Sequence, residues 1–230
     1  LLYLQADNIY VQTKKDIKYL SKYKKILSFN DGVIYNWINT KSLTNEKNIQ
    51  KKRKYVRFIF LGVIGVAQDY KLLNRMIQFC KDNNLQSTFF FIGSGTEKEK
   101  LIELTKSFNN VFFFPEMSIH KIDKIIKQCD VCISTLSKNF YSENFPGKIL
   151  RYMVNNKPIL AHSPNNSFLK NLIEKHSLGL FSSEEDKFYE NILYIFSNFI
   201  AFKKKGIKGL NVAKNNFSSE IAKKILFPKI

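Results

Sequence analysis

Residues 143 to 158 read Glu-Asn-Phe-Pro-Gly-Lys-Ile-Leu-Arg-Tyr-Met-Val-Asn-Asn-Lys-Pro. The stretch begins with an acid, Glu143, and turns through Phe145, Pro146 and Gly147 into a helix that opens at Lys148 and runs to about residue 154. Proline at or near the first helical position is preorganised and lacks a donor that would go unsatisfied there. The free N–H groups of a helix start attract an anion, and a lysine at the same place adds a full positive charge. An acid, a helix N-terminus and a lysine so close together suit a ligand with both phosphate and hydroxyl groups, and a nucleotide sugar has both. Taken singly, Glu143 reads as a solvated loop acid and Lys148 as a surface lysine. Lys148 and Arg151 are spaced to share a helix face.

Other residues carry weaker signals. Gly62, Gly65 and Gln68 fall in a loop between a strand and a helix, and Gly93 and Gly95 fall in another. Glycine in such a loop lets a phosphate or sugar approach the backbone. Neither loop has the spacing of a dinucleotide fingerprint or a P-loop, and each alone is equally a plain turn. His120, His162 and His176 have no partner pattern; His162 follows a strand and lies at the edge where ligands bind. Cys80, Cys129 and Cys132 are too few and too odd in number for a disulfide framework, which points to a reducing compartment. Cys129 and Cys132 have CxxC spacing, but no second pair or nearby histidine completes a metal site, so they read as small core residues. Catalytic triads, zinc motifs and paired catalytic carboxylates are not evident.

The elements that position these residues alternate strand and helix. Strands are expected over 55–61, 87–92, 111–114, 131–134 and 159–161. Helices are expected over 70–81, from residue 96 to about 107, and over 119–128, 148–154 and 166–176, with Ser118 as an N-cap. Short apolar strands alternating with amphipathic helices imply a parallel sheet covered on both faces, with ligands at the carboxyl ends of its strands. The first fifty residues differ. Strands over 8–12 and 26–29 flank a helix over 14–22, Asn30, Asp31 and Gly32 read as a turn, and 39–54 has linker composition. A boundary falls near residue 50, and the first piece completes something missing or docks on the main body. The tail from about 186 reads as helices.

The chain has 230 residues and 44% hydrophobic content, enough for a sizeable core. Thirty-seven Lys and Arg against 19 Asp and Glu give a net charge of +18. Such a charge suits nucleic acid or an anionic membrane face, but also a Lys-rich composition with solvated surfaces. No nucleic-acid motif accompanies the runs Lys51-Lys52-Arg53-Lys54 and Lys203-Lys204-Lys205, so no nucleic-acid partner is expected. Apolar runs are strand-sized, so no spanning segment is expected. The chain starts at Leu1 rather than Met and no signal-peptide pattern follows, so it reads as a fragment or an engineered piece.

In order along the chain, these loops resemble the C-terminal, donor-binding half of GT-B glycosyltransferases of the retaining group 1 family. Residues 60–68 resemble the glycine-rich opening of the subgroup that builds bacterial surface polysaccharides, capsule and lipopolysaccharide among them. Residues 91–101 resemble a G-x-G motif followed by a helix, 110–115 an N-V-x-F-x-G motif, 130–131 an A-D-V motif, and 145–158 the motif x-P-x-K-x-x-E-Y-x-x-x-G-K-P. Gly179-Leu180-Phe181 fits the end of the domain. The fold implied is α/β, a Rossmann-like parallel sheet with helices on both faces. Residues 1–50 would be the tail of an N-terminal acceptor domain with the interdomain linker, and 51–230 the nucleotide-sugar-binding domain.

The resemblance also implies roles. Glu143 would hold donor-sugar hydroxyls, and Pro146, Gly147 and Lys148 the diphosphate, with Phe145 beside them. Glu116 and Met117 would meet the base, while Gly62, Gly65, Gln68, Gly93 and Gly95 would line the cleft. The reaction implied moves a sugar from a UDP- or GDP-linked donor to a saccharide or lipid-linked acceptor with retention. It needs no cofactor beyond the donor substrate, and the helix dipole and lysine stabilise the leaving group rather than a metal. The site would be cytoplasmic, at the inner membrane face. Two departures stand out. Arg151 occupies the place of an acid that usually holds the ribose hydroxyls, and an arginine cannot accept. It could bind the diphosphate instead, or ribose recognition could have moved, for instance to Glu174. Asn156 replaces a glycine, and asparagine tolerates left-handed geometry. A GT-B half that binds nucleotide or partner without catalysis is the alternative; a sugar-nucleotide epimerase would need catalytic acids and histidines that the sequence does not offer.

Overall fold

The computed structural model describes residues 8–20, 30–40, 55–140, 145–164 and 166–227. Glu143, the linker 41–54 and the strand expected over 26–29 lie outside them. The main body is a six-stranded, all-parallel sheet. Its strands are β3 (Val56–Leu61), β4 (Ser87–Ile92), β5 (Val111–Phe114), β6 (Val131–Thr135), β7 (Ile159–His162) and β8 (Gly179–Ser182). The spatial order is β5-β4-β3-β6-β7-β8. The chain therefore winds outward one way from β3, then returns and winds the other way from β6. The crevice between β3 and β6 is the switch point, where open α/β sheets bind ligands at their carboxyl ends.

Strand periodicity divides the core into two layers. Phe58 and Phe60 of β3 point into one apolar cluster, Ile59 and Leu61 into the other. The first cluster is built on phenylalanines paired across strands: Phe58 with Phe89 at 5.2 Å between ring centroids, and Phe91 with Phe113 at 5.0 Å. Burying each such side chain contributes about 1.5–3 kcal/mol. Helices α2 (Tyr70–Asp82), α3 (Lys98–Thr105), α7 (Glu185–Ser197) and α8 (Phe199–Lys205) cover this face. The opposite face is covered by α4 (Ile119–Gln128), α5 (Gly147–Val154), α6 (Ser167–Lys175) and α9 (Gly209–Asn216). Gly209 lets α9 lie directly on α5, since a Cβ there would come within 2.5 Å of the Met153 carbonyl. Asn156 is left-handed, with φ 52°, as its place before Lys157-Pro158 suggested, and its Oδ1 accepts from Leu210 N–H at 3.1 Å.

The N-terminal piece has its own two-stranded parallel sheet, β1 (Asn8–Val11) with β2 (Asn30–Val33), joined on the described side by α1 (Lys14–Leu20). The turn expected at Asn30-Asp31-Gly32 is instead strand β2, in register with Asn8, Ile9 and Tyr10. Local turn propensity yields here to pairing. Gly32 leaves room for the Tyr10 ring, whose Cδ1 would lie 2.4 Å from a Cβ at that position. The segment then docks on the main body. Tyr35 stacks on Phe168 at 4.9 Å and meets Phe217 edge-on. Ile38 N–H donates to Phe217 O, Ser219 N–H donates to Ile38 O, and Tyr10 Oη reaches Ile225 O of α10 (Ser219–Leu226).

The three cysteines are free and buried, as expected for core residues, and burial pushes the Cys80 and Cys129 thiols up to about 12.

Tyr152 holds the switch point together. Its hydroxyl, fully buried, accepts from Leu61 N–H of β3 and donates to Ile133 O of β6, each at 3.0 Å. Tyr152→Phe leaves both backbone groups buried and unpaired, a loss of about 1–3 kcal/mol. Urea denaturation is expected to show a lowered midpoint with an unchanged slope; an unshifted midpoint would show the hydroxyl to be dispensable.

Candidate functional site

The loops that end β3, β4, β5 and β6 meet the start of α5 around the switch point. Two of these loops are laced together. Ile64 N–H donates to Ser94 O at 2.7 Å, Glu97 N–H to Ile64 O at 3.0 Å, and Gly62 N–H to Ile92 O at 2.9 Å. Gly93 and Gly95 are glycines for this reason: both have positive φ, and a Cβ would sit 2.1 Å from Gly62 O and 2.3 Å from Ile64 O respectively. Their loop packs on its neighbour rather than holding open space for a ligand. Gly62 and Gly147 do present open backbone, with nothing within 4 Å of a notional Cβ. Gly65 is buried beside the Gln68 side chain, whose Oε1 would lie 3.3 Å from such a Cβ.

The third loop is clamped to the second. Lys98 Nζ donates to Gly93 O at 2.8 Å and to Phe114 O at 3.2 Å. Ser94 Oγ donates to the Glu116 carboxylate, which is otherwise exposed, while Met117 packs against the apolar layer. Sequence spacing does not single out Lys98 or Ser94. Lys98 follows the glycine pair closely, and that proximity is the one signal it offers.

The start of α5 differs in detail from the expected one. Gly147 is the first helical residue, and Pro146 is the N-cap at φ −64°, with no side-chain cap. The N–H groups of Gly147 and Lys148 have no acceptor within the helix, whereas Ile149 N–H already donates to Pro146 O at 2.9 Å. Phe145 is fully buried among Tyr35, Phe168 and Phe217, so its side chain is core and only its backbone belongs to the site. That carbonyl accepts from Asn36 Nδ2 at 2.7 Å, and Asn36 Oδ1 accepts from Gln12 Nε2 at 3.1 Å.

Lys148 is the site's most unusual group. Its Nζ is shut off from solvent, has no hydrogen-bond partner among the described residues, and lies 3.7 Å from the centroid of the Phe60 ring. Burial without a partner lowers its pKa from 10.5 to about 7. The ring face favours the cation but supplies no acceptor. Three N–H donors without an acceptor are poised for an anion. Tyr152, one turn on, shares this helix face and fixes the phase that brings Lys148 over the crevice.

Arg151 does not join Lys148. Its guanidinium donates to Asp123 Oδ2 of α4 at 3.2 Å, and Asn155 Nδ2 donates to Asp123 Oδ1 at 2.8 Å. This half-buried pair ties α5 to α4. Glu174, the other residue considered for ribose recognition, lines a separate groove beside β8. His162 also stands apart from Lys148, buried against Ser182 and Phe188. Among the described residues no cluster of His, Cys, Asp and Glu could hold a metal ion.

The orphan ammonium makes a direct prediction. In the free protein, Lys148 Hε/Cε resonances titrate near pH 7 rather than 10.5. Added pyrophosphate raises that midpoint, because an anion favours the charged form. On stability the sign is opposite to that of a salt-bridged lysine: the folded pKa lies below the unfolded one. The burial penalty is therefore full below pH 7 and fades as pH rises from about 7 to 10.5. A midpoint near 10.5 would mean that the ammonium is solvated.

Comparison with known proteins accords with this architecture. Residues 44–205 match the family described as glycosyl transferases group 1. No curated protein matches the chain. Among solved structures, Anabaena Alr3699/HepE bound to UDP-glucose superposes with a TM-score of 0.74 at 16% identity, over 96% of this chain and 63% of that one. Sucrose-phosphate synthase from Thermosynechococcus elongatus gives 0.73 at 14% identity, over 96% of this chain and 56% of that one. A TarM variant from S. aureus, solved with fondaparinux, alpha-GlcNAc-glycerol and UDP, gives 0.73 at 14% identity, over 98% of this chain and 44% of that one. The chain thus spans between 44% and 63% of the length of these three. Its sheet is the Rossmann-like sheet of a GT-B C-terminal half. With a family match over more than half of its length and this fold, the chain belongs to the group 1 glycosyltransferases.

Proposed function

We propose that this chain supplies the donor-binding half of a retaining glycosyltransferase that moves a sugar from a UDP- or GDP-linked donor to a saccharide or lipid-linked acceptor. The observation that carries the reading is the buried, unpartnered Lys148 ammonium at the uncapped start of α5, over the switch-point crevice. A diphosphate satisfies both. Its oxygens accept from Nζ and from the leading N–H groups, and the charge left when the bond to the anomeric carbon breaks is stabilised there without reorganisation. Family membership supports the reaction class. HepE was solved with UDP-glucose, and with UDP and glucose; the pneumococcal O-GlcNAc transferase GtfA was solved with UDP and GlcNAc.

In this reading Glu116, in the loop beyond β5, stands near the base, and Gly62, Gly65 and Gln68 form the floor of the cleft. Glu143 holds the donor sugar's hydroxyls. Residues 1–50 are the end of an acceptor domain with its linker, and 51–230 the donor domain. The product belongs to a surface polysaccharide, and the basic surface docks on an anionic inner leaflet that carries the acceptor. No helix among the described residues is long and apolar enough to cross a membrane. Docking through basic side chains weakens with salt.

Calorimetry with UDP, GDP and their sugar conjugates tests the donor role. At least one nucleoside diphosphate binds. Lys148→Ala weakens it about tenfold or more, the worth of a charge-assisted hydrogen bond, while the free nucleoside loses little. Equal losses for both would remove the phosphate role. The absence of binding to any nucleotide would leave the non-catalytic partner module as the better reading, with Arg151 and Asp123 as its helix tie.

A further inference from the structure

The two edges of the main sheet are finished differently. At one edge β8 is covered. Asn191 Nδ2 of α7 donates to Phe181 O at 3.2 Å, and Lys187 and Glu190 of the same helix stand beside the strand. At the other edge β5 has β4 on one side and no strand on the other among the described residues. It is the least buried strand of the sheet. None of its four residues is buried, and Phe112 is 43% exposed.

The open side presents a definite row of backbone groups. Phe89 N–H donates to Asn110 O at 2.8 Å, and Gly93 N–H to Phe114 O at 3.2 Å. Residues alternate along a strand, so Asn110, Phe112 and Phe114 turn their backbone groups to β4, while Val111 and Phe113 turn theirs outward. The N–H and carbonyl groups of those two residues have no partner among the described residues. Natural edges are blunted by lysine, proline or a bulge. β5 has none of these: it reads Val-Phe-Phe-Phe, and its register with β4 is unbroken. Residues 107–115 carry no charge, in a chain of net charge +18.

Such a row matches a second copy of itself. With two copies set antiparallel about a two-fold axis at Phe112, Val111 of one and Phe113 of the other exchange a pair of hydrogen bonds, and the symmetric partners exchange another pair. On one face of the sheet a β-branched side chain then meets an aromatic one, a favourable cross-strand pair. On the other face the two Phe112 rings meet at the non-hydrogen-bonded position, where side chains approach most closely. Within each copy Phe112 already stacks on Phe90 at 5.7 Å, and Phe90 on Phe114 at 6.4 Å, so the pairing joins two ring ladders into one. The ends match as well. Lys106 precedes β5 and Glu116 follows it, both exposed, and antiparallel pairing brings each toward its opposite charge in the other copy.

We propose that the free edge of β5 is a self-association surface, through which two copies of this chain join their six-stranded sheets into one of twelve strands. The second sheet runs in the opposite direction, so the two switch-point crevices open at opposite ends of the pair and neither is blocked. The proposal does not rest on the donor reading.

Sedimentation equilibrium of the full chain tests it, over about 10 µM to 1 mM, the range of a small transient interface. Salt at about 0.15 M screens the repulsion between like-charged copies. The mass is expected to rise with concentration from 26.9 kDa toward twice that value. Val111→Pro removes one outward N–H and leaves the ladder to β4 intact, and Phe112→Lys places a charge at the axis. Each is expected to raise the dissociation constant about tenfold or more, with urea denaturation as the check on folding. Phe112→Cys is expected to cross-link into a dimer in air, because the Cα separation of about 4.5 Å at a non-hydrogen-bonded pair suits a disulfide. Val111→Cys, which faces Phe113 of the other copy and not itself, is expected to stay monomeric on a non-reducing gel. The native cysteines are buried and do not compete. The cysteine pair decides the matter even where the proline or lysine variant folds poorly. A mass of 26.9 kDa at every concentration, association indifferent to both Val111→Pro and Phe112→Lys, or equal cross-linking of the two cysteine variants would overturn the proposal.

Discussion

The architecture depends on how the sheet is held where it changes direction. At the carboxyl end of β3 the pairing with β6 has ended at Phe60 and Ile133, and the next backbone groups must find other partners. The Tyr152 hydroxyl stands in for the missing strand contact, accepting on one side and donating on the other. A water could satisfy the same groups, but it would not carry a helix with it. Because the phenol is anchored, α5 cannot rotate or slide without exposing two buried backbone groups. Lys148, one turn earlier on the same face, inherits that precision, and so do the open N–H groups beside it. The crevice and the residue that charges it are thus fixed by one side chain.

Three lysines with buried ammonium groups show how differently the same residue type can be used. Lys203 is nearly inaccessible but fully engaged. Its Nζ lies 2.9 Å from Asp130 Oδ1, and Asp130 Oδ2 accepts from Arg57 N–H. Lys157, close by, donates to the carbonyls of Lys127 and Cys129 at 2.7 and 2.8 Å. Both tie the amino-terminal edge of the sheet to its helices, and all their partners belong to the chain. Lys148 is buried at the opposite edge with a ring face and nothing to accept from it among the described residues. The first two lysines bring their acceptors with them; Lys148 keeps its donors unmatched.

Much of this was legible in the sequence because the strands are continuous apolar runs and the helices amphipathic. The strands at 87–92 and 111–114 and the helix at 119–128 fall where period and composition placed them. The failures share a physical cause, which is that tertiary partners override local preference. Asn30-Asp31-Gly32 has turn chemistry, yet pairing with β1 and the Tyr10 ring over Gly32 make it a strand. Gly93 and Gly95 suggested room for a ligand, yet the room is taken by the adjoining loop. Arg151 read as an ambiguous base at the site, and its role was settled by Asp123, a residue on another helix that spacing could not connect to it. The importance of Tyr152 was half visible, since a tyrosine four residues after Lys148 shares its face, but its two backbone partners belong to distant strands.

The same reasoning extends to the N-terminal segment. Asn36 spans the gap between Gln12, just after β1, and the carbonyl of Phe145, just before Pro146. Tyr35, its neighbour, is locked by stacking on Phe168 and edge contacts with Phe145 and Phe217. The rings bury apolar area and hold the segment in place; the amide is directional and holds a distance. The segment that carries β1 and β2 is therefore not merely parked on the domain. Its polar bridge through Asn36 ends on the residue that leads into α5, so a displacement of those strands reaches the Pro146-Gly147-Lys148 turn through two hydrogen bonds.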